Sequence, residues 1–104
     1  VIDIQSEIDQ SIAKQKLSPV ATQTVTDVLE EAITNAVKHG GAEKVWLIVK
    51  GKSSNTLKLQ VKNNGAPMGK LKRQSAGTKL FNQSGVWSIS NENGLVVFKI
   101  QIAI

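Results

Sequence analysis

The sequence predicts an α+β fold: a two-layer sandwich in which a mixed, mostly antiparallel sheet carries helices on one face. Two observations indicate this class. Five short stretches have the alternation or the apolar run of β-strands, and one long stretch with helical spacing separates the first strand from the second. A short second helix precedes the fourth strand. The opposite face of the sheet is expected to be open and to carry lysines.

The first element is a strand over residues 1–8, where isoleucines alternate with polar residues as at the edge of a sheet. The same isoleucines, together with Ile12, also fit helical spacing, so both interpretations stay open here. Residues 14–17 form a polar connection. Because the chain starts without methionine inside an apolar alternation, we expect it to be a fragment of a longer protein.

The second element is a long helix. Ser18 is a good N-cap and Pro19 suits the first helical position, so the helix is predicted to begin there. It is predicted to run to about His39. Gly40 and Gly41 then end it, since glycine accepts the left-handed backbone of a helix C-terminus.

The next two strands form a predicted hairpin. Residues 45–50 are an apolar run that reads as a buried strand, with Trp46 expected in the core. A turn at residues 51–55 leads to residues 57–62, which alternate cleanly between apolar and polar side chains.

The second half of the chain opens with a long basic loop over residues 63–75. Lys70, Lys72 and Arg73 cluster on it, either as phosphate ligands or as a solvated surface. At most a short helix follows, over residues 78–83.

Two final strands, residues 86–90 and 95–104, are predicted to form a second hairpin. Asn93 and Gly94 lie between them, and this dipeptide suits a type I′ turn. Trp87 is expected in the core. There are no repeats and no internal domain boundary, so residues 1–104 are interpreted as a single domain.

Composition excludes several kinds of site. The chain has no cysteine and one histidine, so it has neither a disulfide framework nor a zinc site built from thiolates or several imidazoles. No apolar stretch approaches the roughly 20 residues that span a bilayer. The net charge is +5, which attracts phosphates. A nucleic-acid binder would need exposed stacking aromatics, and with four aromatics and no tyrosine we expect no nucleic-acid partner.

One polar ridge stands out on the long helix. Glu31 and Asn35 lie four residues apart, as do Asn35 and His39, so a helix places them on one face with Lys38 at its edge. An amide oxygen suits a hard cation, a carboxylate holds water or accepts a proton, and basic groups attract phosphate. The ridge therefore predicts a magnesium–nucleotide site. The alternatives are an exposed polar stripe and, for His39, a charge that complements the helix dipole.

Three segments resemble, in order, the motifs of the GHKL ATPases, a family with the Bergerat fold that includes gyrase, heat-shock chaperones, mismatch-repair proteins and histidine kinases. Residues 31–39 (EAITNAVKH) closely resemble the N-box. Residues 59–65 (LQVKNNG) and 75–81 (SAGTKLF) resemble the two following glycine boxes. The resemblance covers essentially the whole chain and is strongest to the C-terminal ATP-binding domain of bacterial sensor histidine kinases.

The resemblance implies ATP and Mg²⁺ as cofactors and assigns roles to residues. It implies that Asn35 ligates the magnesium, that Glu31 orients or deprotonates water, and that Asn63 recognises the adenine amino group. Glu31 and Asn35 would be the catalytic residues. The residues that it implies for nucleotide binding are Asn35, Lys38, His39, Asn63, Gly65, Gly77 and Thr78.

The sequence departs from the family pattern at three positions, and each departure is expected to affect the affinity for nucleotide. Asn63 replaces the aspartate that reads adenine, so its hydrogen bond loses charge assistance. Pro67 stands where the second glycine of that box is expected, and Ser75 replaces the first glycine of the last box. We therefore expect weak nucleotide binding.

The implied function is that of the ATP-binding catalytic domain of a two-component sensor histidine kinase. Such a domain binds Mg²⁺–ATP and donates the γ-phosphoryl group to a histidine on a separate dimerisation domain, which in turn serves a response regulator. We expect a cytoplasmic domain of a membrane-bound sensor, without direct membrane contact and with little or no activity in isolation. The alternative is a degenerate GHKL domain that senses nucleotide or binds protein without phosphotransfer.

Overall fold

The computed structural model describes residues 2–9, 17–53, 55–65 and 76–104. Within them the elements alternate much as the sequence predicts. The strands are β1 (Asp3–Ile8), β2 (Lys44–Ser53), β3 (Thr56–Asn63), β4 (Val86–Glu92) and β5 (Leu95–Ala103). The helices are α1 (Pro19–Thr34), which continues as a π-helical turn (Asn35–His39), and α2 (Ala76–Ser84).

The described strands form one sheet in the order β1-β2-β3-β5-β4. β1 pairs parallel to β2, and the other neighbours pair antiparallel. A parallel pair needs a crossover, and α1 supplies it between β1 and β2. The mixed sheet with its helices confirms the α+β prediction, and the strand interpretation of the first element is correct.

The sheet has one covered face and one open face. The helices cover the face that carries Leu57, Leu59 and Val61 of β3, all buried. Alternate residues point the other way, and Lys58 and Lys62 lie there half-buried, so the open face carries lysines as expected. Trp46 is paired with Lys62 and shares this face. The prediction of a core position for Trp46 is therefore wrong, because only one side of the apolar run in β2 is covered.

The core lies between the helices and the covered face. α1 and its π-helical turn contribute small buried residues, which let the helix approach the sheet closely. The core members are Val28, Ala32, Ala36, Ala42, Val45, Leu59, Val61, Phe81, Phe98, Ile100 and Ile102.

An aromatic cluster joins α2 to this core. It consists of Phe81, Trp87 and Phe98, with ring centroids 4.5 Å apart for Phe81–Phe98, 5.5 Å for Phe81–Trp87 and 6.0 Å for Trp87–Phe98. The Trp87 indole Nε1–H donates to Asn82 Oδ1 at 2.7 Å. Trp87 is thus half-buried against the core, close to its predicted place.

The long helix begins and ends with the capping residues that its sequence predicts, but its last turn is not α-helical. The Ser18 hydroxyl caps the helix by accepting the Ala21 N–H at 3.1 Å. At the other end Gly41 adopts φ +64°, the left-handed conformation expected there. Between them the Gly40 N–H bonds to Asn35 O at 3.2 Å, five residues back, so the helix widens into a π-helical turn.

The β4–β5 connection has the predicted turn. Asn93 and Gly94 have φ of 53° and 80°, the pair of positive values that a type I′ turn requires. α2 begins at Ala76 and ends at Ser84, longer than the predicted helix. Among the residues described here, no helix has the length and apolar character needed to cross a bilayer.

Candidate functional site

The candidate site lies where the C-terminal end of the long helix meets the end of β3. Gly65 follows β3 and packs directly against the backbone of Gly40. A Cβ built on Gly65 would lie 2.6 Å from the Gly40 carbonyl oxygen and 2.9 Å from its carbon. The two segments that sequence analysis singled out, residues 31–39 and 59–65, are thereby joined at one edge of the fold.

The polar ridge of the helix is accessible along its length. Glu31 and Asn35 are half-buried, one helical turn apart, and Lys38 is exposed at the ridge edge. The Asn35 backbone N–H donates within the helix, to Ala32 O and Glu31 O, so the backbone that carries its side chain is fixed.

The helix continues past Asn35 as a π-helical turn that ends at His39. His39 is exposed. Lys38 and His39 both lie in the last helical turn, where a positive charge also complements the helix dipole.

Asn63 ends β3 on the helix-covered side of the sheet. With 6% of its surface exposed, it is the one buried polar residue of the described chain. Its Oδ1 accepts the Gly65 N–H at 2.9 Å, which closes a tight turn after the strand. A buried amide held in this way has a fixed orientation, so it can present a defined hydrogen-bonding group to a ligand.

Asn64 has a structural role beyond its place in the turn. Its Oδ1 accepts two backbone N–H groups, those of Glu43 and Lys44, each at 2.9 Å. This clamp ties the end of β3 to the start of β2 and supports the neighbouring Asn63. The sequence signals only a polar residue before a glycine, because the two donors lie about 20 positions earlier in the chain.

The last glycine box is only partly described. Gly77 and Thr78 lie in the first turn of α2. The basic loop that precedes α2 lies outside the described residues, and with it lie the predictions made for Pro67, Ser75 and the Lys70–Arg73 cluster.

The Glu31–Asn35 ridge offers two kinds of oxygen ligand that a magnesium ion could use. Among the described residues, no three acidic, histidine or cysteine side chains are grouped so that they could hold a metal. Magnesium typically keeps water ligands and takes one or two protein oxygens together with substrate phosphates. The accessible Asn35 amide and the Glu31 carboxylate fit that pattern.

Comparison with known proteins matches the chain to one ATPase family and to solved structures of histidine kinase domains. The family model described as histidine kinase-, DNA gyrase B- and HSP90-like ATPase matches residues 21–100. No curated protein sequence matches the chain.

Among solved structures, the histidine kinase domain of the blue-light activated histidine kinase of Erythrobacter litoralis EL346 is similar, with TM-score 0.73 and 17% identity. The match covers 97% of this chain and 51% of that one, so the chain spans about half of that relative.

The ATP binding domain of PrrB from Mycobacterium tuberculosis matches with TM-score 0.66 and 20% identity, over 98% of this chain and 79% of that one. The mycobacterial sensor histidine kinase MprB matches with TM-score 0.63 and 11% identity, over 98% of this chain and 81% of that one. At these identities the likeness shows the fold.

Proposed function

Since the chain belongs to the histidine kinase-, DNA gyrase B- and HSP90-like ATPase family, we propose that it is the ATP-binding catalytic domain of a two-component sensor histidine kinase. In this proposal it binds Mg²⁺–ATP and donates the γ-phosphoryl group to a histidine on a separate dimerisation domain.

The observation that supports this proposal most is the meeting of two polar elements at one edge. The accessible Glu31–Asn35 ridge ends at Gly40, and Gly40 contacts Gly65 directly after the buried Asn63. A nucleotide that spans this edge would have its phosphates beside the helix and its base beside the end of β3.

The proposed chemistry depends on positioning and charge. Asn35 would hold Mg²⁺ through its amide oxygen, and the ion, when bound, neutralises charge on the phosphates. Glu31 would orient water at that ion or accept a proton, while Lys38 and His39 would attract the phosphates. The bond from the γ-phosphorus to its bridging oxygen breaks and a bond to the acceptor nitrogen forms, which leaves ADP and phosphohistidine.

The remaining parts of the proposal concern context. We propose that residues 1–104 act as one catalytic domain of a longer sensor kinase, in the cytoplasm, with the dimerisation domain as partner and the response regulator reached through it. Without that partner, the domain is expected to bind nucleotide and to show little or no turnover.

The test is the substitution Asn35→Ala, measured by titration calorimetry with ADP and ATP in the presence and absence of Mg²⁺. We expect magnesium-dependent binding to be lost. The melting temperature should stay within about 4 °C, because a half-exposed helical Asn→Ala change typically alters stability by about 0.5 kcal/mol.

The matched control is Thr34→Ala, one position earlier on the same helix and exposed. It should leave nucleotide binding unchanged. If Asn35→Ala binds Mg²⁺–ADP as well as the unmodified chain does, the ridge is not the metal site and the proposal fails.

A second candidate function follows from Asn63. This residue is neutral, and its Oδ1 already accepts the Gly65 N–H. A site altered at this position could serve a module that senses nucleotide or binds protein without phosphotransfer. The two candidates separate when the helical partner domain and labelled ATP are supplied together: phosphohistidine supports the kinase, and its absence supports the second candidate.

A further inference from the structure

The orientation of the Asn63 carboxamide is determined by its surroundings. The Gly65 backbone N–H can only donate, so the group that faces it at 2.9 Å must be the carbonyl oxygen and not the amino group. The Nδ2 amino group therefore lies at the other end of the carboxamide. A ligand that meets this end of Asn63 meets hydrogen-bond donors.

Purine bases differ in what they offer at position 6. Adenine carries an amino group there, which donates. Hypoxanthine and guanine carry a carbonyl oxygen, which accepts. If the Asn63 amino group faces position 6 of adenine, two hydrogen-bond donors meet and neither finds an acceptor. The carbonyl oxygen of a 6-oxopurine would instead accept a hydrogen bond from the Asn63 amino group.

We propose that this domain prefers 6-oxopurine nucleotides, inosine or guanosine triphosphate, over ATP, and that Asn63 is the residue that determines the preference. The inference rests on the proposed function and on the role that the resemblance implies for Asn63, which is to meet position 6 of the base. ATP still binds in this account, with its phosphates held in the same way, but more weakly.

An aspartate at the same position would behave in the opposite way. Both of its oxygens accept, so one would keep the Gly65 N–H and the other would face the base. An aspartate therefore favours the adenine amino group and repels a carbonyl oxygen. The substitution Asn63→Asp should exchange the two preferences without changing the size of the side chain.

The experiment measures the dissociation constants of Mg²⁺–ITP and Mg²⁺–ATP for the 104-residue chain by titration calorimetry. ITP differs from ATP only in the base, at position 6 and in the hydrogen on N1. We expect ITP to bind about tenfold more tightly, the size of effect expected for one unmade hydrogen bond in a buried site. In Asn63→Asp the ratio of ITP affinity to ATP affinity should fall by more than tenfold, so that the variant favours ATP.

Asn64→Asp is the matched control. It makes the same chemical change one residue away, and an aspartate oxygen can still accept the Glu43 and Lys44 N–H groups. A general electrostatic effect of the added negative charge would appear in both variants. The ITP/ATP ratio of Asn64→Asp should equal that of the unmodified chain.

The outcomes are distinct. ATP binding as tightly as ITP or more tightly to the unmodified chain overturns the inference and leaves the proposed function intact. A preference for ITP that Asn63→Asp does not change overturns the role of Asn63. Binding of neither nucleotide overturns the proposed function and this inference with it. If Asn63→Asp does not fold, the ratio in the unmodified chain still decides.

Discussion

Replacing Gly65 by alanine separates two explanations for that glycine. The resemblance to GHKL ATPases implies that Gly65 lets the backbone approach a nucleotide. The structure adds a second reason, since the residue packs against the end of the helix at Gly40. The second reason predicts that Gly65→Ala destabilises the domain with no nucleotide present.

The magnitude follows from the distances. The added methyl group would lie 2.6 Å from Gly40 O, 2.9 Å from Gly40 C and 3.0 Å from Asn63 Oδ1. Two of these neighbours are backbone atoms, which can move only if the helix end moves. Overpacking of this kind costs about 1–3 kcal/mol, and disturbing the Asn63–Gly65 hydrogen bond adds about 1 kcal/mol. For a domain of this size the melting temperature should fall by roughly 10–30 °C.

The assay is thermal unfolding of the nucleotide-free domain, followed by circular dichroism, with Gly41 as the control position. Gly41 has φ +64° and no atom within 4 Å of its built Cβ, so Gly41→Ala meets backbone strain of about 1–2 kcal/mol and no clash. Asparagine tolerates that φ, so Gly41→Asn should recover most of the stability. At Gly65 asparagine should do no better than alanine. If the nucleotide-free Gly65→Ala domain has the same melting temperature as the unmodified protein, the packing explanation is refuted.

Three further predictions concern stability. Ser18→Ala removes the helix cap and should cost about 1 kcal/mol in urea unfolding, whereas Ser18→Asp should retain the cap. Asn64→Ala removes the acceptor of the Glu43 and Lys44 N–H groups and should cost about 1–3 kcal/mol, with faster hydrogen exchange at those two amides as its specific sign; unchanged exchange would contradict the clamp. Phe81→Ala empties the centre of the aromatic cluster and should cost about 3–5 kcal/mol, whereas Phe81→Leu should cost less.

The predictions that succeeded depend on neighbours in sequence. Ser18 caps the helix through an N–H three residues on, and Asn93 and Gly94 form the turn that their own backbone preferences specify. The positive φ of Gly41 is of the same kind. The shared helix of Glu31 and Asn35 is also a local feature, because helical geometry brings residues four apart together without reference to the rest of the fold. The role of this pair stays a prediction.

The features that sequence analysis missed depend on distant parts of the chain. The face occupied by Trp46 is set by the helices, which cover only one side of β2, and an apolar run does not reveal which side. The π-helical turn is recognised only from the Gly40–Asn35 hydrogen bond. The orientation of Asn63 is defined by the Gly65 N–H, and the role of Asn64 by donors on another strand.

The two tryptophans lie on opposite faces of the sheet, and this gives the protein two separate optical probes. Trp87 emission should follow loosening of the packed interior, since its ring packs against Phe81 and Phe98. Trp46 lies on the open face of the sheet beside Lys62. Quenching of its fluorescence by iodide should therefore report on molecules that bind to this face. Replacing either indole by phenylalanine would isolate the other signal, so that unfolding and surface contact can be followed independently in one molecule.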